Sequence, residues 1–184
     1  ICDKYFPKVD DFFPKDERVK KENQILKELS KNEISELDFR LYLKSYLSHF
    51  DNEHTHISLS ELPATGYPFI PFHLDSSWYI LNLAKEYDLD LIGKKIIAFN
   101  DVKISDYEKK LFEFISAENE TSKRRALLNW WYRPALHEFI KGEKMDSIKL
   151  TVETGQSFWL KKITAGEASW HRNEQDFGAH PISR

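Results

Sequence analysis

Hydrophobic spacing divides the chain into a helical lead and a β-rich remainder. Residues 1–50 contain no glycine, their prolines Pro7 and Pro14 come early, and Lys, Glu and Leu dominate, so the segment reads as helical. Within it, Ser35-Glu36-Leu37-Asp38 has the form of a capping box. The Ser35 hydroxyl can accept from the third backbone N–H while Asp38 reaches back. After this cap Phe39, Leu43, Tyr46, Leu47 and Phe50 recur at helical spacing, and the stripe predicts packing against a core.

The period then changes. His54-Thr55-His56-Ile57-Ser58-Leu59 alternates and is partly β-branched, which predicts a short strand. Pro63, Gly66 and Pro68 punctuate a loop. Residues 69–74 and 77–83 predict two strands, 88–93 a turn and 94–99 a third strand, with Asn100-Asp101 as a turn signal. Residues 105–114 are amphipathic and helical, with Tyr107, Leu111 and Phe114 on one side. A further helical stretch covers 121–140, is interrupted at Pro134 and ends at Gly142. Residues 147–153 and 156–163 alternate around Thr154-Gly155, the pattern of a hairpin with glycine at the bend. Residues 164–184 have no period and read as linker or tail.

This order predicts an α+β fold. An N-terminal helical domain, 1–66, would end in a short strand. A small β module with inserted helices would occupy 67–165, and a tail 166–184. The boundary falls near residues 62–67.

Composition narrows the function classes. The chain has 184 residues, 41% hydrophobic and 14% aromatic, enough for one ordinary or two small domains with a core rather than a disordered segment. No apolar run reaches the ~18 residues of a membrane span. The six glycines never lie closer than 11 positions, which excludes G-x-G-x-x-G, the G-x-x-x-x-G-K phosphate loop and a G-x-S-x-G nucleophile turn. Cys2 is the single cysteine, so no internal disulfide or multi-cysteine metal site can form. Its place near the start would suit a lipid anchor, but Ile1 before it argues against that. A net charge of −3 gives no electrostatic case for nucleic-acid binding. Either a cytoplasmic or an extracytoplasmic bacterial compartment fits, and the opening Ile1-Cys2-Asp3-Lys4 shows no signal peptide.

The densest ionisable cluster is His49, Asp51, Glu53, His54 and His56, at the expected helix-to-strand junction. Three readings compete. On a strand, His54 and His56 would point the same way and could share a zinc ion, given a third ligand; no H-E-x-x-H occurs. Alternatively, His54 is a general base, which requires a second group to hold the ring, a serine beside it and donors for the oxyanion. The chain has no recognisable nucleophile turn and no S-x-x-K, so that serine would lie elsewhere. The third reading is a polar junction whose His, Asp and Asn residues are caps and turn formers.

Weaker features stand beside this one. Lys123-Arg124-Arg125 with Trp130 and Trp131 could clamp a phosphate or carboxylate, or could be a solvated helix face over core aromatics. Asn119-Glu120-Thr121 matches a glycosylation acceptor, relevant only in a secretory pathway.

The run from Leu43 to Leu59, centred on Phe50-Asp51-Asn52-Glu53-His54-Thr55-His56-Ile57, resembles the N-terminal helical segment of the C-terminal-processing (tail-specific, tricorn-like) serine peptidases. Downstream, Tyr67 to Leu74, Ser77 to Leu83 and Leu91-Ile92-Gly93 through Asn100 resemble the PDZ-like module of that family. Ser116-Ala117-Glu118-Asn119-Glu120 before a Trp-rich helix fits bacterial members, and the closing hairpin fits the end of the module. Most of residues 35–165 are covered.

The resemblance implies the N-terminal and PDZ-like, substrate-positioning part of a serine endopeptidase, inactive alone, whose catalytic domain would follow. Its partners would be that domain and a peptide or unfolded protein, with no cofactor and no metal. In the tricorn-like branch the histidine of this stretch is the general base, a role that carries to His54; in the other branch a lysine does this work. Asn52-Glu53 stands where the family carries glycine. A Gly-rich carboxylate-binding loop would precede the strand at Trp78; here the sequence is Leu74-Asp75-Ser76-Ser77, whose acid would repel a free C-terminus and leave strand addition along a sheet edge as the mode of peptide binding. A stand-alone peptide-binding scaffold, or a His-based metal protein, are the alternatives.

Overall fold

A computed structural model describes residues 9–31, 33–59, 65–164 and 166–171. They fall into two compact units, one drawn from Ile1–Glu61 and Leu111–Arg125, the other from Leu62–Lys110 and Ala126–Arg184. The fold is α+β.

The first unit opens with α1 (Val9–Phe12), α2 (Lys15–Leu29) and α3 (Glu36–Leu47), followed by a 3-10 turn, Ser48–Phe50. Val9, Phe13 and Phe50 form a buried cluster on which Tyr46 and Leu47 pack. Arg18 is buried beside it, donating to the Phe13 carbonyl at 3.1 Å and pairing with Asp10 at 3.0 Å.

Ser35 caps α3. The Asp38 N–H donates to Ser35 Oγ at 3.0 Å, and the Ser35 hydroxyl donates in turn to Asp38 Oδ2 at 2.8 Å. Ser35→Ala is expected to lower stability by about 1 kcal/mol, read as a lower urea midpoint with an unchanged slope.

The predicted apolar stripe packs against a core through Tyr46, Leu47 and Phe50, and α3 buries a second face as well. Its most buried positions are Leu41, Lys44, Ser45 and the adjoining Ser48, while Phe39 is 40% exposed. Small hydroxyl side chains let backbones approach closely. Ser48 Oγ donates toward the Ser45 carbonyl at 2.9 Å and the Glu113 carbonyl at 2.6 Å, which satisfies a face that hydrophobic spacing does not mark. Burial pulls the Lys44 ammonium down to about 8.

The second unit is built on an antiparallel sheet of β2 (Phe69–Leu74), β3 (Ser77–Leu83), β4 (Lys95–Phe99), β6 (Ser147–Val152) and β7 (Ser157–Lys161), in that spatial order, with β5 (Val102–Lys103) paired to β4. A separate pair joins β1 (Thr65–Gly66) to β8 (Ile163–Thr164). The remaining helices are α4 (Ile104–Phe112), α5 (Glu120–Leu127) and α6 (Pro134–Lys141). Pro134 sits in the first turn of α6, where its missing N–H costs nothing, and Gly142 ends that helix at φ 76°.

Asp75-Ser76 joins β2 to β3 with φ of 46° and 61°, and Asn100-Asp101 joins β4 to β5 with 48° and 64°. Both are left-handed turns whose twist matches the flanking strands. The segment before Trp78, where the resembled family carries a carboxylate-binding loop, is a tight hairpin turn. Asn100 also stitches its turn to β6: its N–H donates to the Lys149 carbonyl at 2.8 Å and its Oδ1 accepts from the Lys149 N–H at 2.8 Å.

Aromatic rings fill the core. Trp131 is 1% exposed, with Trp78, Phe99 and Tyr107 centred 5.2, 5.6 and 6.0 Å away. His137 is fully buried beside them. Its Nε2 lies 2.9 Å from the Trp131 carbonyl, which can only accept, so Nε2 carries the proton and Nδ1 accepts from the Tyr107 hydroxyl at 2.8 Å.

The outer strand β2 has an unusual edge. The Ile80 N–H donates to the Lys94 carbonyl at 3.1 Å and the Gly93 N–H to the Ile80 carbonyl at 2.8 Å, so the backbone of Ile80 is turned away from β2. Its partner Pro71 therefore directs its own backbone outward, where it has a carbonyl and no N–H to offer.

Candidate functional site

The segment that carries the predicted base leaves α3 through the Ser48–Phe50 turn. Asp51 then reverses the chain in the left-handed region, φ 45°, a conformation Asp tolerates better than most residues. Asn52 closes the next turn: its side-chain carbonyl accepts from the His54 N–H at 2.8 Å and its backbone carbonyl from the Thr55 N–H at 2.9 Å. Residues 54–59 consequently form no strand, contrary to the alternation in their sequence. An Asx turn has taken the amides that a ladder would use.

Two side chains from far downstream brace this turn within the first unit. Ser116 Oγ donates to the Asn52 carbonyl at 2.6 Å and accepts from the Asn52 N–H at 3.3 Å. Lys123 Nζ pairs with Asp51 Oδ1 at 2.9 Å. A second carbonyl, that of Leu47, lies 3.3 Å from the same hydroxyl, so Ser116 ties the turn to the end of α3.

On this support His54 projects into solvent. Its side chain is 87% exposed, and Glu53 Oε1 lies 3.9 Å from Nε2, a loose electrostatic partner. His56 is also exposed, with Nδ1 2.9 Å from the Glu53 carbonyl; that contact fixes the proton on Nδ1 and leaves Nε2 open. His49 points inward instead, stacked on Phe13 with ring centroids 4.6 Å apart. Among the described residues its buried Nε2 has no hydrogen-bond partner, and burial, reinforced by Lys21, lowers its pKa. The cluster thus splits into a packed His49, a salt-bridged Asp51 and an exposed Glu53–His54–His56 turn. Among the described residues no group of three or more His, Cys, Asp or Glu is placed to hold a metal ion.

The basic run does not assemble a clamp. Lys123 is taken by Asp51, Arg124 pairs with Glu120 at 2.9 Å and lies 5.6 Å over Phe112, and Trp131 is core. Asn119 caps α5, its Oδ1 accepting from the Ser122 N–H at 2.9 Å. Cys2 lies outside the described residues.

Sequence spacing also missed an open apolar groove of about 340 Å³ on the outer face of the β2–β3 hairpin, lined by Phe72, Leu74, Tyr79, Leu81 and Ile92. Phe72 and Leu74 are 41% and 50% exposed. The available signal was the nearly continuous apolar run of β2, broken only at His73, which leaves both of its faces hydrophobic.

Among the described residues, no helix is long and apolar enough to cross a membrane. No family model and no curated protein matches the sequence. Solved structures of the chlamydial serine protease CPAF do match. Mature CPAF complexed with lactacystin aligns with a TM-score of 0.57 at 11% identity, over 89% of this chain and 30% of that one. A point mutant of CPAF gives 0.54 at 12% identity, over 87% and 30%. The likeness is one of fold, and this chain spans about 30% of the length of those proteins.

Proposed function

We propose that this chain is the N-terminal, substrate-positioning part of a serine-type peptidase of the C-terminal-processing kind, with a helical domain over residues 1–66 and a PDZ-like module over 67–165. In this reading His54 is the general base for a serine carried by a further domain. As that hydroxyl attacks a peptide carbonyl, the imidazole takes its proton and later returns it to the leaving amine. The observation that carries the reading is an exposed imidazole on a turn pinned from both sides by Ser116 and Lys123, within a protease-related fold. Pinning holds the ring where a partner domain can meet it, at little entropic cost on docking.

The test compares His54→Gln with His56→Gln in the protein joined to its catalytic domain. His54→Gln is expected to lower kcat for peptide cleavage by about 10²–10⁴-fold. His56→Gln, on the same turn, should stay within threefold. Equal rates for both variants would reject His54 as the base.

The open groove beside β2 favours a second reading, a peptide-binding scaffold that needs no catalytic partner. The two separate on the cleavage rate, because only the peptidase reading expects His54→Gln to lower it, whereas both expect peptide binding to survive the change.

A further inference from the structure

We propose that the free edge of β7 docks an extended acidic peptide, which adds to the sheet as a further strand beside Trp159. The proposal concerns a different part of the chain from His54 and stands whether or not the peptidase reading holds.

Among the described residues β7 ends the sheet, paired only to β6 with Ser147 opposite Lys161, Lys149 opposite Trp159 and Thr151 opposite Ser157. The backbone of Lys149 is committed to Asn100, on the side away from β7. Pairs alternate in an antiparallel ladder, so Trp159 directs both its N–H and its carbonyl to the open side, as do Ser157 and Lys161 two residues either way. Lys161 confirms the phase, since its outward N–H donates to the Tyr87 hydroxyl at 3.1 Å. That contact closes one end and leaves Ser157 and Trp159 to receive an incoming backbone. β7 contains no proline, whereas β2 sets Pro71 at the matching outward position.

The side chains specify the visitor. Trp159 is 58% exposed, the largest exposed side chain of this strand pair. It shares its face with Lys149 and Lys161 and with the hydroxyls of Ser147, Thr151 and Ser157; no acid stands on that face of the two strands. Lys149 is held by Asp101 at 2.8 Å, while Lys161 has no ion pair among the described residues. A strand laid along β7 presents alternate residues to this face. A carboxylate there meets Lys161, and an aliphatic residue two positions on covers the indole. Lysine at an edge repels cationic strands, so the same residue sets the sign of the selectivity.

The test uses the isotope-labelled chain and two heptapeptides, Thr-Val-Thr-Glu-Thr-Val-Thr, which sets a carboxylate between two aliphatic residues on one face, and its Glu-to-Lys counterpart. The acidic peptide is expected to shift the amide resonances of Ser157 and Trp159 and to slow their hydrogen exchange at least tenfold, leaving His73 on β2 unchanged. The basic peptide should do neither. Lys161→Glu, a surface change, should weaken the acidic peptide at least tenfold, and Ser157→Pro, which removes one outward N–H and no backbone bond to β6, should abolish the protection, whereas Ser157→Ala, which loses only the hydroxyl contact with Thr151, should keep it. Protection at β2 instead, equal binding of both peptides, or no slowing at Ser157 and Trp159 would each overturn the proposal. So would a sedimentation result showing that β7 pairs with a second copy of the chain.

Discussion

Trp131→Ala is expected to destabilise the second unit by about 3–5 kcal/mol, the largest single-residue effect in the chain. The indole is 1% exposed and stands where Trp78, Phe99, Tyr107 and His137 converge. Removing it empties a volume that four rigid rings cannot refill by small rotations, so the lost burial and the remaining cavity add. Trp131→Phe should cost far less, about 1–2 kcal/mol, by keeping most of the ring contacts. The buried indole Nε1 has no hydrogen-bond partner among the described residues, and phenylalanine removes that donor. Urea unfolding, followed through slow-exchanging amides of β4 and β6, measures both. A loss under 1 kcal/mol for Trp131→Ala would show that these rings are not the core of the unit.

Acid should act on the same cluster through His137. Burial lowers its pKa from 6.5 to about 4 despite the carbonyl of Trp131, which favours the charged form. Between those two values the unfolded chain binds a proton that the native chain refuses. Stability therefore falls as pH drops through that window, by at most about 3 kcal/mol, and levels off below pH 4 where the native ring also titrates. Above 6.5 the contribution is constant. His137→Gln, which cannot titrate, should be less stable than the parent at pH 7 yet show a shallower decline between pH 6.5 and 4. Chemical denaturation at half-unit pH steps distinguishes them. Parallel curves for parent and variant would assign the acid sensitivity to other groups.

Local chemistry was readable wherever neighbours in sequence are neighbours in space. The β2 and β3 strands, the Ser35 cap, the bend at Gly155 and the stop at Gly142 all follow from short-range rules and occur where the pattern puts them. The α3 stripe was legible at Tyr46, Leu47 and Phe50, whereas the face through Ser45 and Ser48 was not, because the buried Ser48 hydroxyl finds backbone acceptors, a solution that hydrophobic counting does not register. Residues 54–59 failed for a different reason. Alternation is necessary for a half-buried strand but not sufficient, and here Asn52 turns the chain before a partner can pair. The braces on the His54 turn were illegible, since Ser116 and Lys123 lie 64 and 72 positions from the residues they hold. His54 itself was visible as part of a dense polar cluster; its separation from the inward His49 was not.

Pro71 has a consequence for growth in one dimension. A fibre of sheets stacked side by side needs each copy to offer two competent borders, one to give and one to receive. With a carbonyl but no donor at the middle of β2, one border cannot complete its half of the exchange. Edgewise union can then join two copies through the other border and must stop there, so this sheet is guarded against open-ended polymerisation by a single ring on its backbone.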